Sequence, residues 1–285
     1  MELVKLSPVF GVEIRGVDAG APMDDATFAR IRRAMDDFGV VLLRGQDLDD
    51  DRQVAFSERF GPLEKTFSAN PAGGTLFARQ SNLDINSGAF IPPEDRRMIY
   101  QKANYIWHSD SSYRPVPSLC SMLSARIVPP EGGNTEFADM RAVYDSLPEE
   151  TKATLEGLVA EHAIAHSRAR VDPTLLTTHQ NTVEAPPVKQ VMVRVNPVTG
   201  RKSLFIGAHC SHVVGWPIEE GKRFVDALTA AIKPEHCYSH PWREGDVIIW
   251  DNRAVLHRAT AYDAVRYKRL MQRTTIAGDG PTVAQ

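Results

Sequence analysis

The chain has 285 residues, 33 basic and 36 acidic side chains, a net charge of −3 and a pI near 6.3. A content of 42% hydrophobic and 24% charged residues is that of an ordinary globule, with no general basic field for nucleic acid or an anionic membrane. No apolar run approaches the roughly 20 residues of a membrane span.

The first residues lack the apolar core of a secretory leader. Cys120, Cys210 and Cys237 are widely spaced with no Cys-x-x-Cys, the pattern of reduced thiols in a cytoplasmic protein. No repeat or linker divides the chain, so residues 1–285 are expected to form a single domain.

In chain order, Val4-Leu6 and Val12-Ile14 read as short strands around a turn at Gly11. Asp24 or Asp25 caps a helix carried by Phe28, Ile31, Met35 and Phe38 and stopped by Gly39. Val40-Val41-Leu42-Leu43 is a buried strand, and a second helix runs from about Asp50 to Phe60. From Glu64 to Lys102 the pattern fades, broken at Asn70-Pro71, Gly73-Gly74, Asn86-Ser87-Gly88 and Pro92-Pro93. A loose stretch of that length is expected to be a lid or binding loop.

Leu119 to Val128 is a strand, a Gly-rich turn follows, and Thr135-Glu136-Phe137 re-enters. Asp139 caps a short helix, and Pro148 opens another through about Leu158. Residues 166 to 187 read as irregular. Val191 to Val195 and Ser203 to Ile206 flank a hairpin signal at Asn196-Pro197 and Thr199-Gly200. An amphipathic helix fits Ile218 to Ile232, then strands fit Cys237 to Trp242, Val247 to Trp250 and Arg269 to Thr275. Many short strands between Gly/Pro turns favour a closed or double-sheet β architecture with flanking helices.

His108 and Asp110 lie two apart, so an extended strand would turn both to one face. With His257 they supply two imidazoles and a carboxylate, enough for one face of an octahedral metal, as in non-haem Fe(II) oxygenases. A His-x-acid pair arises about once by chance in a chain of this composition, so its weight comes from its partners. Arg269, Met271 and Arg273 would share one strand face, and two cations there invite two anionic groups.

These positions fall in the order and spacing of the TauD/TfdA family of Fe(II)- and 2-oxoglutarate-dependent dioxygenases, which the chain resembles over nearly its full length. The likeness lies in Phe60-Gly61-Pro62-Leu63, Trp107 to Ser112, Pro130 to Thr135, Trp250-Asp251-Asn252-Arg253 and His257-Arg258. Phe137 to Arg141 and Arg201 to His209 resemble the branch acting on aryloxyalkanoates such as 2,4-dichlorophenoxyacetate. The resemblance implies a double-stranded β-helix, or jelly roll, with helices outside. It implies iron held by His108, Asp110 and His257, and 2-oxoglutarate held at its distal carboxylate by Thr135 and Arg269. It places Arg273 on the acid group of the substrate and Asn104 in the substrate pocket, with Trp107 packed beside the metal.

The expected reaction is hydroxylation at the ether carbon, consuming O2 and giving a phenol, a 2-oxo acid, succinate and CO2. The expected partners are a small anionic acid and further copies of this chain. A taurine, alkylsulfonate or other small-acid dioxygenase is the alternative within the same superfamily. A jelly-roll 2-oxoglutarate sensor without turnover is the alternative outside catalysis. His209 and His212 follow a predicted strand and are candidates for the pocket; an ordinary exposed or core histidine is the favoured reading of the pattern alone, with His209 the one carried as a substrate contact. His162, His166, His179, His236 and His240 are read as structural. Lys65 and Lys102 are cations near the loop, of a kind usually solvated.

Overall fold

The computed structural model describes residues 1–66, 72–173 and 185–283. In chain order its elements are β1 (Glu2–Lys5), β2 (Val12–Arg15), α1 (Asp25–Phe38), β3 (Val40–Leu43), α2 (Asp50–Glu58), β4 (Phe77–Ser81) and α3 (Arg96–Gln101). Then come β5 (Cys120–Ile127), β6 (Thr135–Asp139), α4 (Met140–Asp145), α5 (Glu149–Leu155), β7 (Val159–His162) and α6 (Ile164–Ala169). The last part holds β8 (Val188–Val191), β9 (Val193–Val195), β10 (Lys202–Leu204), β11 (Cys210–Val213), α7 (Ile218–Ala230), β12 (Cys237–His240), β13 (Val247–Asp251), β14 (Val255–Ala259) and β15 (Leu270–Ile276).

A seven-stranded sheet in the order β1-β2-β3-β13-β5-β15-β4 packs on a three-stranded sheet, β12-β6-β14. Between them lie Leu42, Leu123, Ile248, Trp250 and Met271 from the large sheet, and Phe137 and Val255 from the small one. The alternation of side chains along a strand explains the rest. On β3, Val40 and Leu42 point to this inter-sheet core, while Val41 and Leu43 pack with Ile31, Met35 and Phe56 of the helices. All four residues are therefore buried, which is why the strand reads as a continuous apolar run. The far face of the small sheet is covered by α4, α7 and the short strands, through Ala138, Leu256, Met140, Val213, Val225 and Leu228. This double-sheet β architecture with helices outside is the expected jelly roll.

Local signals are read well where they are chemically local. Asp24 Oδ1 accepts the Thr27 N–H at 2.8 Å, and Gly39 closes α1 at φ 76° with its N–H on Met35 O. The structure differs from expectation in seven places. The Glu64–Lys102 stretch contains β4, the edge strand beside β15, and α3. Phe-Ala-Arg-Gln-Ser has little strand propensity of its own, and its partner creates the strand. The helix after Pro148 stops at Leu155, and β7 begins where it was expected to end. α6 lies in a stretch read partly as irregular, while β11 and β14 were not foreseen. His108 is in no strand: it forms an isolated antiparallel bridge to His257, and Asp110 opens a turn. β15 begins at Leu270, with a register shift against β5 before Met271, so Arg269 precedes the strand. The break at Asn70-Pro71, the irregular reading over 174–184 and His179 lie outside the described residues.

Candidate metal centre and substrate cleft

The site lies at one end of the inter-sheet core. β14 carries His257, β6 carries Thr135, β15 carries Arg273 with Arg269 just before it, and the turn ahead of β5 carries Asp110. Ligand atoms of His108, Asp110 and His257 all lie within 4.8 Å of one another, and all three residues are buried. The ring centres of the two histidines are 4.2 Å apart. His257 Nε2 stands 3.6 Å from Asp110 Oδ2.

His108 and Asp110 are each oriented from behind. His108 Nδ1 lies 2.7 Å from the Ile106 carbonyl, which can only accept, so that nitrogen carries the proton and Nε2 keeps its lone pair. His257 Nδ1 is buried without a hydrogen-bond partner. Burial pushes the pKa of both imidazoles down, that of His257 well below its usual value, and Asp110 only partly opposes this. Neutral imidazole is the form that binds a cation. Burial pushes the Asp110 carboxyl up, but Arg273, aided by the histidines and the Ser121 hydroxyl, outweighs it and holds the pKa at about 2.

Asn252 ties the aspartate turn to the sheet. Its Oδ1 accepts from Trp250 Nε1 at 2.9 Å and from the Asp110 N–H at 3.3 Å. Its Nδ2 donates to Ser118 Oγ at 2.9 Å and Ser121 Oγ at 3.0 Å, and Ser121 Oγ donates to Asp110 Oδ2 at 2.7 Å. Ser118 Oγ donates to the Asp110 carbonyl and Ser109 Oγ to the Asn252 carbonyl, both at 2.8 Å. Gly207 allows the backbone to pass close behind. At φ 117°, a Cβ there would stand 3.1 Å from the Trp107 carbonyl and 3.2 Å from His108 Cα.

A small pocket beside the triad is bordered by His108, His257, Thr135, Arg269 and Arg273. Arg269 is only 8% exposed, yet among the described residues its guanidinium hydrogen-bonds only the Gln80 and Gly133 carbonyls, at 3.4 and 3.5 Å, with the Tyr262 ring 5.8 Å away. No acidic side chain pairs with it among the described residues, and burial lowers its pKa. Such a cation lacks an anion. Thr135 Oγ1 accepts from Trp242 Nε1 at 3.0 Å. The donor set, open to one side and adjoined by an unpaired buried guanidinium, fits a divalent metal chelated by a small dianion.

A larger cleft adjoins the pocket. Arg273 borders both, and its Nη1 donates to Asp110 Oδ1. Asn104 also borders both, held by a hydrogen bond from its Nδ2 to Gln80 Oε1 at 2.7 Å. These two amides border a third cavity as well, behind Arg269. His209 lines the cleft, buried, edge-on to Tyr113 at 4.7 Å, with Nδ1 unpartnered and its pKa driven well below the usual value, first by burial.

His212 instead lies by Ser211, 2.9 Å from its hydroxyl, outside the cleft lining. Lys65 borders the cleft and is exposed, whereas Lys102 borders the third cavity. Trp107 precedes His108 but lies under the Arg258 guanidinium, 4.4 Å away, against the helical layer. His162 and His240 are core residues, His240 bonding Asp246 at 3.0 Å. Sequence reasoning missed Glu64, Gln80, Tyr113, Arg114 and Arg168 of the lining. None has a local signature, because distant segments bring them together.

A double-sheet β fold with a buried His/Asp/His cluster and an adjacent orphan arginine defines a non-haem metal oxygenase scaffold. The family model described as taurine catabolism dioxygenase TauD, TfdA family, matches residues 2–275. The chain belongs to that family. It is 40% identical over 276 residues to the alpha-ketoglutarate-dependent 2,4-dichlorophenoxyacetate dioxygenase of Cupriavidus pinatubonensis, covering 95% of this chain and 96% of that one. It is 34% identical to the (S)-phenoxypropionate/alpha-ketoglutarate-dioxygenase of Sphingobium herbicidovorans, over 98% of this chain and 95% of that one. The crystal structure of AAD-2 with Mn(II) and N-oxalylglycine superposes with a TM-score of 0.92 at 37% identity, covering 100% of both chains.

Proposed function

We propose that the protein is an Fe(II)- and 2-oxoglutarate-dependent dioxygenase that hydroxylates an aryloxyalkanoate at its ether carbon. The observation that carries this reading is the cluster of His108, Asp110 and His257, whose two imidazoles border the same pocket as Arg269, a buried cation with no acidic partner among the described residues. Relatives that act on 2,4-dichlorophenoxyacetate and phenoxypropionate supply the substrate class. The triad would hold Fe(II), and Thr135 with Arg269 the distal carboxylate of 2-oxoglutarate. When bound, the metal with 2-oxoglutarate and O2 supplies an oxidant strong enough for an unactivated C–H bond.

The chain's own residues orient and exclude. The Ile106 carbonyl keeps the proton on His108 Nδ1, and Ser121 and Asn252 aim the Asp110 carboxylate. Trp250 and Leu123 wall the pocket against water. Arg273, Asn104 and His209 line the cleft where the substrate lies, which fits a small organic anion. Hydroxylation places an OH on the carbon between the ether oxygen and the carboxylate. The hemiacetal then breaks its C–O bond, releasing a phenol and leaving a 2-oxo acid, while 2-oxoglutarate ends as succinate and CO2.

We read residues 1–285 as one functional unit. We also read it as a cytoplasmic homo-oligomer, the location being in keeping with three free cysteines. The test is incubation with Fe(II), 2-oxoglutarate, ascorbate and a panel of acids including 2,4-dichlorophenoxyacetate and an alkyl sulfonate. Phenol and succinate in equal amounts from the aryloxy acid are expected. Succinate formation driven only by the sulfonate would overturn the substrate assignment, and none from any acid would overturn the turnover itself.

A further inference from the structure

Three arginines border the cleft beside His108 and Asp110, and they are not equivalent. Arg273 donates to Asp110, and Arg114 Nε lies 3.1 Å from Glu64 Oε2, so both face an acid already. Arg168, near the C-terminal end of α6, has no acidic partner among the described residues. Its guanidinium carbon sits 4.1 Å from the centre of the Tyr100 ring, and its Nε is buried without a hydrogen bond. Nearby, His209 Nδ1 is likewise buried and unpartnered.

A guanidinium stacked on a ring keeps its donors in its own plane, where they match the two oxygens of a carboxylate. A half-buried cation without a counter-charge gains most from an incoming anion, whereas one facing Asp110 or Glu64 gains less.

We propose that Arg168 is a specificity-determining residue: stacked on Tyr100, it takes the acid group of the substrate at the α6 wall of the cleft. Arg273 is then the cation nearer the metal ligands. The inference rests on the cleft being the substrate site of the proposed dioxygenase. It adds that the enzyme selects acids over neutral isosteres chiefly through α6.

The experiment compares equilibrium binding of 2,4-dichlorophenoxyacetate and its neutral amide. The protein is loaded anaerobically with Mn(II) and 2-oxoglutarate, so no turnover is needed. Wild type is expected to prefer the acid. Loss of a charge-assisted pair predicts about thirtyfold weaker acid binding in Arg168→Gln, with amide binding unchanged. Arg168→Lys, which keeps the charge but not the fork, should fall between them. An unchanged affinity for 2-oxoglutarate shows that each variant is folded.

The inference is overturned if Arg168→Gln binds the acid within about twofold of wild type. It is also overturned if acid and amide weaken alike, or if wild type does not prefer the acid. Tight, Arg168-dependent acid binding without any phenol or succinate under turnover conditions would remove the proposed reaction and leave the anion subsite standing.

Discussion

His108 and His257 are joined through their backbones: the His108 N–H donates to the His257 carbonyl at 3.1 Å, and the His257 N–H to the His108 carbonyl at 2.9 Å. The two imidazoles are thus placed by main-chain bonds that survive loss of either ring. His257→Gln should therefore fold with a melting temperature close to that of wild type, yet lose Mn(II) affinity by about a hundredfold or more. Calorimetric titration of Mn(II) checks this. A chelator should abolish succinate release from wild type, and added Fe(II) should restore it. A variant that binds Mn(II) as wild type does would remove His257 from the ligand set.

Asn252 borders neither the pocket nor the cleft, yet it holds the Asp110 amide and the two serines around that turn. Asn252→Ala is expected to lower metal affinity about ten- to a hundredfold, the usual effect of removing a residue that orients a ligand. Buried serine hydroxyls left without their donor should also cost about 1–3 kcal/mol of stability. Titration with Mn(II) and urea unfolding separate the two effects. Equal metal affinity in the variant would show that the serines alone suffice.

The charge of Arg269, unpaired among the described residues, should weigh on the cosubstrate-free protein. Arg269→Met is expected to leave that form as stable as wild type or more so, since a buried cation without an anion is removed. The same variant should raise the KM for 2-oxoglutarate about ten- to a hundredfold and lose the thermal stabilisation the cosubstrate gives wild type. Melting curves with and without 2-oxoglutarate read both. A preserved cosubstrate shift would mean that the distal carboxylate is held elsewhere.

His162 lies in the core against Phe205, with ring centres 5.5 Å apart, and burial, with His166 adding to it, lowers its pKa to about 3. The unfolded chain protonates this ring near 6.5, so between pH 6.5 and 3 the unfolded state carries the extra proton. Its share of stability is therefore present above 6.5 and lost as pH falls. The slope reaches about 1.4 kcal/mol per pH unit where only the unfolded state is protonated. Urea midpoints at pH 7, 5.5 and 4.5 should fall for wild type relative to His162→Leu as the pH falls. Parallel curves would show that His162 titrates alike in both states.

Legibility followed the range of the forces involved. The start and stop of α1 could be read because Asp24 and Gly39 act on residues three or four positions away. The β3 run could be read because burial on both faces demands it. The convergence of His108, Asp110 and His257 was legible through a motif whose members are far apart, although the local argument for His108 and Asp110 failed: a bridge and a turn, not a strand, bring them together. β4 was not legible because pairing with β15 makes it a strand. The early end of α5 did carry a sign: Gly157, two residues past Leu155, stands at φ 73°, which no helix residue adopts. Arg168 and Gln80 had none, because an arginine or an amide looks the same in sequence whether it faces solvent or a cleft.

The Gln80–Asn104 pair is a party wall. Two neutral amides joined by one hydrogen bond border the pocket beside the triad, the larger cleft and the cavity behind Arg269 alike. Replacing either amide alters three compartments at once. Damage there will register together in cosubstrate affinity, in substrate affinity and in the ratio of succinate formed to product hydroxylated, and no single constant will locate it.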